Sequence, residues 1–317
     1  MAFRARTTPP GGHRPVLFEE VFAALDPQPG ELAVDCTLGA AGHAVEMLRR
    51  VGPTGRLVAC DLDSNNIDRA KDALTAIGTS HELHATNFAG IAALVPEGAD
   101  VILADLGVSS MQIDDPNRGF SYMRDGPLDM RMDQTRGKTA AQILATSSVD
   151  ELSRAFEELG DFTEFGDEAA RKLANAIANH RESAPLQGTC ELTELILKTI
   201  PPPAAPPGRR PPTERQLRYR PVACAFQALR IMVNRELANL QALLRALPAI
   251  LKPGGRVAVI SFHSGEDRLV KQYFRDGERS GVYSKVSPDA IRATGQERFD
   301  NPRSRSAKLR WARRSTD

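Results

Sequence analysis

The stretch ELAVDCTLGAAGHAVEML, residues 31–48, joins an apolar run, a turn of small residues and the start of an amphipathic pattern. The apolar run has the length and composition of a buried strand, and the later apolar residues recur at the spacing of a helix. The turn between them carries Asp35 and two glycines, Gly39 and Gly42. A strand, a small-residue turn and a helix in this order predict the first unit of a nucleotide-binding α/β sheet.

The same alternation appears again on both sides of the chain's middle. Apolar strand patterns follow at residues 55–63, 81–88 and 99–108, and a helical pattern precedes each of them, the last one short. A further strand pattern, ILKPGGRVAVISFHS at 250–264, begins with a Pro-Gly-Gly turn. Strands that alternate with helices are typical of a parallel sheet with crossover helices. The sequence therefore predicts a doubly wound, Rossmann-like α/β fold.

The middle of the chain lacks the alternation of strand and helix patterns. It contains helical patterns near 140–160, 165–181 and 189–200, followed by a Pro-rich segment at 201–212. Because proline disfavours both helix and central strand, this segment is predicted to be an extended connector. The predicted organisation is a first sheet segment, 1–112, an inserted helical subdomain with the connector, 113–220, and a second sheet segment, 221–317.

Two further predictions concern the second half of the chain. Apolar residues recur every three or four positions from Phe226 to Leu247, which predicts one long amphipathic helix. Residues 288–317 are polar and basic, and we expect a partly ordered arm there. Basic side chains on both sides of this helix are candidate phosphate contacts, although each alone is more often a solvated charge. They are Arg209, Arg210, Arg215, Arg218, Arg220, Arg303, Arg305, Lys308, Arg310, Arg313 and Arg314.

The overall composition excludes several classes of protein. The 317 residues are 41% hydrophobic, enough for a sizeable core, so the chain is not disordered by default. The cysteines are far apart and no His, Cys or Asp cluster has ligand spacing, so neither disulfides nor a metal site is predicted. We expect a cytoplasmic protein, since neither a secretory signal nor a membrane span is evident. A net charge of +1 gives no overall electrostatic argument for a nucleic acid partner and leaves local basic clusters open as one. Monomer and homodimer both stay open.

Polar residues follow each predicted strand, and ligands of open parallel sheets bind outside the carboxyl ends of the strands. Asp61 lies about twenty residues after the glycine turn, from which a carboxylate can accept hydrogen bonds from both ribose hydroxyls of an adenosine. Asp63 instead fits the N-cap of the following helix. Asn87 and Phe88 follow the third strand, and Phe88 offers an apolar shelf for adenine.

The loop GAAGH, residues 39–43, indicates which kind of nucleotide binds. A pyrophosphate needs glycines that let the backbone approach it closely, whereas Ala40 and Ala41 stand here and no Walker lysine follows. A cofactor without phosphates fits better. S-adenosylmethionine is such a ligand, and its ammonium group suits carboxylates and carbonyls near Asp35. His43 either contacts the cofactor or caps and packs the helix, and the sequence leaves both open.

The segment ADLGVSS, residues 104–110, ends the fourth predicted strand, where amino-directed methyltransferases hold the target nitrogen. An exocyclic amine conjugated to a ring is a poor nucleophile, and acceptors that hydrogen-bond its NH2 group pull it toward tetrahedral geometry. Asp105, Ser109 and Ser110 are therefore the candidate catalytic residues, with an ordinary turn as the alternative. His263 is assigned to structure or substrate orientation, because a methylated amine nitrogen is acidic and needs no strong base.

A more specific resemblance rests on motifs spread over nearly the whole chain. They include HRPVLFEEV at 13–21, ADLGVSSMQ at 104–112, RGFSYMRDGPLDMRMD at 118–133 and NPRSRSAKLR at 301–310. In this order they resemble the bacterial ribosomal RNA small-subunit methyltransferase H family. The resemblance implies S-adenosylmethionine-dependent methylation of a cytidine N4 in the decoding region of 16S rRNA, within the small ribosomal subunit. It also implies cofactor contacts at Ala41, Gly42, His43, Asp61, Phe88, Asp105 and Gln112.

The resemblance also implies how the substrate is presented. A cytidine N4 cannot be reached while the base is stacked and paired, so the enzyme is expected to hold an unpaired or extruded nucleotide. Phe120 and Tyr122 are candidates for holding the base. Arg124, Asp129 and Arg131 either orient the base or form a salt-bridged loop that covers the cofactor.

The sequence departs from the family pattern at three positions. Cys36 and Ala41 stand where the family's D-G-T-x-G-x-G-G-H loop has glycines, and Cys224 stands where it has an arginine able to hold phosphate. Because alanine disfavours a positive φ, the loop must keep a negative φ at Ala41 or shift slightly. The arginines that would have to replace the missing one are Arg218, Arg220 or Arg230.

Two other functions stay open at this point. The first is an NAD-dependent oxidoreductase on a Rossmann sheet, against which count the incomplete glycine loop and the lack of an evident hydride-transfer pair. The second is an RNA-binding or ribosome-assembly protein that kept the fold and lost catalysis through changes such as Ala41 and Cys224.

Overall fold

The computed structural model describes residues 15–205 and 212–316. These residues form two compact units. The first contains the described residues up to Gly107 and those from Leu237 onward, and the second runs from Val108 to Glu236. The sequence predicted an insertion at 113–220, so the second unit begins earlier and ends later than that segment.

The described strands all belong to the first unit. In chain order they are β1 (Leu32–Asp35), β2 (Arg56–Asp61), β3 (Ser80–Ala85), β4 (Ala99–Asp105), β5 (Leu251–Ser261), β6 (Tyr283–Val286), β7 (Ile291–Arg292) and β8 (Lys308–Arg314).

The described helices belong to both units, with α4 to α10 in the second. In chain order they are α1 (Phe18–Leu25), α2 (Gly42–Val51), α3 (Ser64–Thr75), α4 (Ser110–Asp114), α5 (Ala140–Thr146), α6 (Val149–Gly160), α7 (Ala169–Ser183), α8 (Thr189–Thr199), α9 (Glu214–Arg218), α10 (Arg220–Asn234), α11 (Glu236–Ile250), α12 (Ser264–Arg279) and α13 (Gly295–Asp300).

The strands form a single sheet in the order β3-β2-β1-β4-β5-β8-β6, with β7 also paired to β8. The first five strands in this order are parallel, and β8 is antiparallel to β5, β6 and β7. The chain builds outward from β1 to β3, then returns to place β4 on the other side of β1. The sheet therefore has its topological switch point between β1 and β4, as expected for the predicted α/β fold.

Both faces of this sheet are covered by helices, as parallel strands require. On one face, strand residues such as Val34, Ile102 and Val257 share an apolar cluster with Leu244 of α11 and Phe274 of α12. On the other face, Leu57 and Leu103 pack with residues of α1, α2 and α3, among them Leu25, Leu48 and Leu74. Because successive strand residues face opposite sides, these near-continuous apolar runs fill two cores.

The second unit has a helical core of its own. Its cluster contains Phe156, Phe162, Leu173, Leu192 and Leu229, all fully buried. Helix α10 contributes Phe226 and Leu229 to this cluster and lies against α6. This packing is the reason that the unit extends beyond residue 220, where the sequence placed its end.

The prediction of one long helix from Phe226 to Leu247 is wrong, because α10 and α11 are separate helices. Arg235 lies between them with φ 52°, in the left-handed region that ends an α-helix. The neighbouring Asn234 donates from Nδ2 to the Met130 carbonyl at 2.8 Å and accepts from the Met132 N–H at 2.8 Å. A distant loop thus fixes the break, while the apolar spacing continues across it.

The prediction of a partly ordered C-terminal arm is also wrong, because β8 is an interior strand of the sheet. Leu309 and Ala312 are fully buried, while Lys308 and Arg310 donate to Asp267 of α12 at 3.1 and 2.7 Å. The Arg314 guanidinium donates to the Pro248 and Leu251 carbonyls. Basic residues enter the sheet here because contacts distant in sequence neutralise them.

The Pro-rich connector is described only at its two ends. Residues 201–205 and 212 form neither helix nor strand, as predicted for them. Arg209 and Arg210, both candidate phosphate contacts, lie outside the described residues. Within the described ranges, every helix is too short or too polar to cross a membrane.

The position of β8 can be tested with two substitutions on that strand. Leu309→Ala removes a fully buried side chain, and we expect a loss of about 2–5 kcal/mol in the free energy of unfolding. Arg313→Ala alters an exposed side chain of the same strand and should change that free energy by no more than about 0.5 kcal/mol. Urea titrations measure both, and equal small effects would mean that β8 is not an interior strand.

Candidate functional site

Carboxylates stand at the ends of three neighbouring parallel strands. Strand β1 ends at Asp35, β2 at Asp61 and β4 at Asp105. Asp35 pairs in register with Ala59 of β2 and with Leu103 of β4, so the three ends lie at one edge of the sheet. Strand β3 ends at Ala85, and Asn87 and Phe88 follow it as predicted. The strand periodicity in the sequence is thus confirmed at each of these positions.

The loop after β1 is held by hydrogen bonds to all three strand ends. The Thr37 N–H donates to Asp35 at 2.9 Å, and the Gly39 N–H donates to Asp61 at 2.8 Å. The Thr37 hydroxyl oxygen accepts from the Asp105 N–H at 2.6 Å. Thr37 was not among the predicted site residues, because its role depends on the neighbouring strand β4. The acids therefore fix the shape of the loop.

Asp61 and Asp63 have different partners, as their two predicted roles require. Asp61 also accepts from the Asp63 N–H at 2.8 Å and from Asn66 Nδ2 at 3.1 Å. Asp63 accepts from the Asn65 N–H at 3.2 Å and caps α3. The interpretation of Asp63 as an N-cap is therefore confirmed.

Ala41 has φ 62° and lies in the left-handed region. The loop thus takes neither of the two routes expected from the sequence, since it keeps the conformation of a glycine despite the added Cβ. Left-handed backbone costs an L-residue about 1–2 kcal/mol. The Ala41 side chain is only 1% exposed and packs with residues of α1 and α2, so it does not project toward solvent at the strand ends.

Gly42 is required for a different reason, the close approach of the chain segment before α1. A Cβ built at Gly42 would lie 2.3 Å from Cγ of Pro15. The next residues of this segment are also held, because the Leu17 N–H donates to Glu297 of α13 at 2.8 Å. A side chain at position 42 would therefore displace Pro15, which is followed by residues that are held in place.

The His43 imidazole is packed inside the first unit. It is 5% exposed and lies beside the rings of Phe18 and Phe22, with centroids 6.0 and 6.3 Å away. Its Nε2 lies 3.2 Å from the Val16 carbonyl, and its Nδ1 lies 3.7 Å from Asp105 Oδ2. Burial lowers the pKa of His43 to about 4, so the ring is neutral at pH 7. The packing role that the sequence left open is observed, and the contact of His43 with a cofactor stays a prediction.

The three acids have raised pKa values, and burial is the main cause for each. Burial and the nearby Asp61 raise the pKa of Asp35 to about 7, although the Thr37 N–H offsets part of this. Burial, Asp35 and Glu266 raise the pKa of Asp105 to about 8. Burial also raises the pKa of Asp61. A group of acids that repel each other favours a cationic ligand and disfavours a pyrophosphate.

The loop after β5 brings a further acid, Glu266, toward this site. Glu266 is 2% exposed and accepts from the Phe262 N–H at 2.8 Å. His263 caps α12, since its Nδ1 accepts from the Glu266 N–H, and its Nε2 lies 3.3 Å from Glu266 Oε1. Of the two roles expected for His263, the structural one is observed, and substrate orientation stays a prediction. Glu266 was noted in the sequence beside His263, Asp267 and Arg268 on this loop but was given no role, although the spacing His-x-x-Glu at a helix start was a signal for a cap.

In the second unit, two of the predicted site residues form a capping box at the start of α4. The Ser109 N–H donates to Gln112 Oε1 at 2.9 Å, and the Gln112 N–H donates to Ser109 Oγ at 3.3 Å. Gln112 is 5% exposed. The side chain of Ser110 lies outside what the structure describes. Ser109 and Gln112 thus order a short helix directly after the strand-end motif.

The loop with the idiosyncratic motif, residues 118–133, is held by internal ion pairs and amide contacts. Arg131 donates from Nε and Nη2 to both oxygens of Asp129, at 2.8 and 2.9 Å. The buried Arg118 donates to the Arg131 and Met132 carbonyls at 3.0 and 2.9 Å. Of the two roles left open for Asp129 and Arg131, the salt-bridged loop is observed.

Cys224 occupies a buried position beside an ion pair. Its Sγ lies 3.5 Å from Glu164 Oε1, to which Arg220 Nε donates at 2.7 Å. Arg230 is also paired, because it donates to both oxygens of Glu236 at 2.8 and 3.0 Å. Arg218 is exposed and lies over the Tyr219 ring, with 5.9 Å between its Cζ and the ring centroid. Of the three arginines expected to replace the missing one, two are thus engaged with carboxylates.

The conformations at Ala41 and Gly42 predict effects of different size for two small substitutions. Gly42→Ala should cost about 1–3 kcal/mol of unfolding free energy, because the new Cβ collides with Pro15. Ala41→Gly should change it by less than about 1 kcal/mol, since relief of the left-handed strain offsets the lost methyl burial and the added chain entropy. Denaturant unfolding of both variants measures this, and a harmless Gly42→Ala would contradict the observed approach of Pro15.

The raised pKa of Asp105 predicts a pH-dependent stability. The folded protein holds this proton more tightly than the unfolded chain, so stability falls as the pH rises from about 4 to about 8. Asp105→Asn lacks this loss, and its melting temperature should rise relative to the unaltered protein between pH 5 and pH 9. The expected rise is about 3 °C or more, which corresponds to roughly 1 kcal/mol at this size. The exposed Asp289→Asn is the control, and a similar rise there would refute the assignment.

The sequence was compared with protein families and with known proteins, and the matches cover nearly the whole chain. A model of the MraW methylase family matches residues 11–315. The chain is 40% identical over 311 residues to the ribosomal RNA small subunit methyltransferase H 1 of Lachnoclostridium phytofermentans, covering 96% of this chain and 82% of that protein. It is 41% identical to the ribosomal RNA small subunit methyltransferase H of Chromobacterium violaceum, covering 98% of this chain and 97% of the relative.

With a third relative, the alignment spans almost the full length of both proteins. The ribosomal RNA small subunit methyltransferase H of Syntrophotalea carbinolica is 41% identical over 322 residues, which covers 95% of this chain and 98% of that one. Matches at this identity and length, together with acids at the ends of β1, β2 and β4, exclude the alternative of an NAD-dependent oxidoreductase. The chain belongs to the MraW methylase family.

Proposed function

We propose that this chain transfers a methyl group from S-adenosylmethionine to N4 of a cytidine in the decoding region of 16S rRNA, within the small ribosomal subunit. The observation that carries the cofactor assignment is the group of buried acids Asp35, Asp61 and Asp105 at one edge of the sheet. S-adenosylmethionine carries a sulfonium and an ammonium group and no phosphate, so its charge is complementary to this edge. Relatives of nearly the same length named as ribosomal RNA small-subunit methyltransferases support the substrate.

The proposed cofactor contacts start from the strand ends. Asp61 would accept hydrogen bonds from the ribose hydroxyls, and Phe88, packed at the edge of the apolar core, would lie beside the adenine. Asp35 and Asp105 would face the methionine end. The remaining proposed contacts are Ala41, Gly42 and His43 in the loop and Gln112 at the start of α4.

The fit of these residues is supported by one further detail of the structure. Asp105 Oδ1 is buried, and among the described residues it has no hydrogen-bond partner. An unsatisfied buried carboxyl oxygen is costly, and a bound cofactor or substrate amine would satisfy it. The cofactor supplies a methyl group on a sulfonium, which is a good leaving group.

The chain's own residues then have to position the target amine. The N4 lone pair of cytosine is conjugated with the ring, and an acceptor for its N–H turns the lone pair toward the methyl group. We assign this task to Asp105, with Ser109 and Ser110 as further candidates. Once methylated, the nitrogen is strongly acidic, and its proton can leave to a weak acceptor or to water.

The substrate nucleotide would be unpaired or extruded, as base-modifying enzymes require. Phe120 and Tyr122 are proposed to hold it, and the exposed Arg215 and Arg218 are proposed to contact phosphate. A small ribosomal subunit is a cytoplasmic substrate, and we propose that the enzyme works there.

A direct assay tests the proposed reaction. Small subunits from a strain without its own enzyme are incubated with the purified chain and labelled S-adenosylmethionine, and the rRNA is then digested to nucleosides. We expect N4-methylated cytidine by mass spectrometry. Asp105→Ala should lower the rate at least about a hundredfold, the usual effect of removing a group that stabilises the transition state, whereas the exposed Asp289→Ala should not.

Each alternative outcome has a distinct meaning. Tight binding to the subunit without incorporation of label would favour the non-catalytic ribosome-assembly protein. Incorporation of label at another nucleotide would retain the enzyme and overturn the cytidine assignment. An unchanged rate in Asp105→Ala would remove Asp105 from the catalytic site.

A further inference from the structure

His43 is oriented by a backbone carbonyl in a way that packing alone does not require. Its Nε2 lies 3.2 Å from the Val16 carbonyl oxygen, which can only accept a hydrogen bond. The ring proton is therefore on Nε2, and Nδ1 carries a lone pair. That lone pair is on the side of Asp105 Oδ2, 3.7 Å away. A neutral imidazole in this tautomer offers Asp105 an acceptor, not a donor.

The groups that face Asp105 from the elements around it are acids and this neutral histidine. Asp35 ends β1, and Glu266 belongs to α12, and both repel a negative charge on Asp105. His43 belongs to α2 and does not compensate that charge, because burial keeps the ring uncharged. A carboxylate at position 105 would thus face two acids and a lone pair, whereas a protonated carboxyl has a hydrogen-bond acceptor available.

We propose that His43 is a positioning residue that holds Asp105 as a neutral acid in the free enzyme, with the Oδ2 proton directed at Nδ1, and that this proton leaves when the cationic methyl donor binds. The proposal rests on the cofactor of the proposed function. The Oδ2–H bond breaks, the proton passes to water, and no other bond changes. The two atoms must approach from 3.7 Å to about 2.7–3.0 Å for the hydrogen bond to form.

This arrangement has a use in the reaction. While the donor is absent, the edge of the sheet avoids a further buried negative charge among Asp35, Asp105 and Glu266. When the donor is bound, Asp105 carries a charge that both faces the sulfonium and accepts the N4–H of the target. The better acceptor is thus formed only in the enzyme that is loaded with its methyl donor.

Calorimetry without RNA tests the proton release. S-adenosylmethionine is titrated into the full chain at pH 6.5 in buffers of low and high ionisation enthalpy, and the difference in binding heat gives the protons released. At this pH the donor's own α-amino group, with an ordinary pKa of about 8, stays protonated. Asp35, whose pKa is about 7, also titrates at this pH, so the two proteins are compared directly: we expect the unaltered protein to release about one proton more than Asp105→Asn.

The role of His43 is separated from simple burial by His43→Phe, which keeps an aromatic ring beside Phe18 and Phe22 and removes the acceptor. We expect it to release fewer protons than the unaltered protein, because the neutral acid loses its partner. Burial alone would give the same release or more, since phenylalanine is more apolar. His43→Leu, which also has no acceptor for the Asp105 proton, should behave like His43→Phe and serves if that variant does not fold.

The pH dependence of binding provides a measurement that needs no variant of His43. Coupled loss of the Asp105 proton should tighten the dissociation constant by roughly tenfold per pH unit from pH 5 to pH 7, and the profile of Asp105→Asn, in which only Asp35 still titrates, should be less steep by about this factor. Equal release by the unaltered protein and Asp105→Asn, or full release by the His43 variants, overturns the proposal while leaving the methyltransferase assignment intact. Failure to bind S-adenosylmethionine at all overturns the proposed function and the inference with it.

Discussion

Three carboxyl groups buried at neighbouring strand ends set the constraint that the rest of the site satisfies. Asp35 and Asp61 are retained because the Thr37 and Gly39 N–H groups donate to them, so the same charges that disfavour burial hold the loop in place. Backbone hydrogen bonds such as that from the Leu38 N–H to the Cys60 carbonyl hold the loop as well. The same carboxyl groups thus cause the electrostatic cost of burial and fix the shape of the loop. A cation bound at this edge reduces the repulsion between the acids and leaves the loop's hydrogen bonds intact.

The segment before α1, residues 15–17, also helps to shape this site. Val16 orients the His43 ring, Leu17 is held by Glu297, and Pro15 occupies the space left by the missing side chain of Gly42. A motif that resembles a nucleotide loop therefore owes its second glycine to packing against another part of the protein. The loop tolerates alanine at position 41, where the backbone is strained, and excludes it at position 42, where the backbone is relaxed.

Much of the first unit could be predicted from the sequence, because strand and helix periodicities and caps such as Asp63 are local. The break at Arg235 could not, since Asn234 is held by a loop far away in the chain and the apolar spacing hides the interruption. The interior position of β8 was missed for a related reason, because the contacts of Lys308 and Arg310 with Asp267 appear only in three dimensions. Within the site, the acids were predictable as strand ends, whereas the tautomer of His43 depends on a carbonyl that no pattern indicates.

The position of β8 also has a consequence for how the chain reaches its folded state. β8 lies between β5 and β6 in the sheet, although it follows both in the chain. During synthesis, β6 and β7 are made before β8, the strand with which they pair. Until β8 is made, β5 lacks its neighbour on that side of the sheet. Strand β5 then has an open edge of the kind that recruits other chains. Because β8 follows the other described strands in the chain, its pairing with β5 cannot form before they are synthesised, and in the folded protein its Lys308 and Arg310 pair with Asp267.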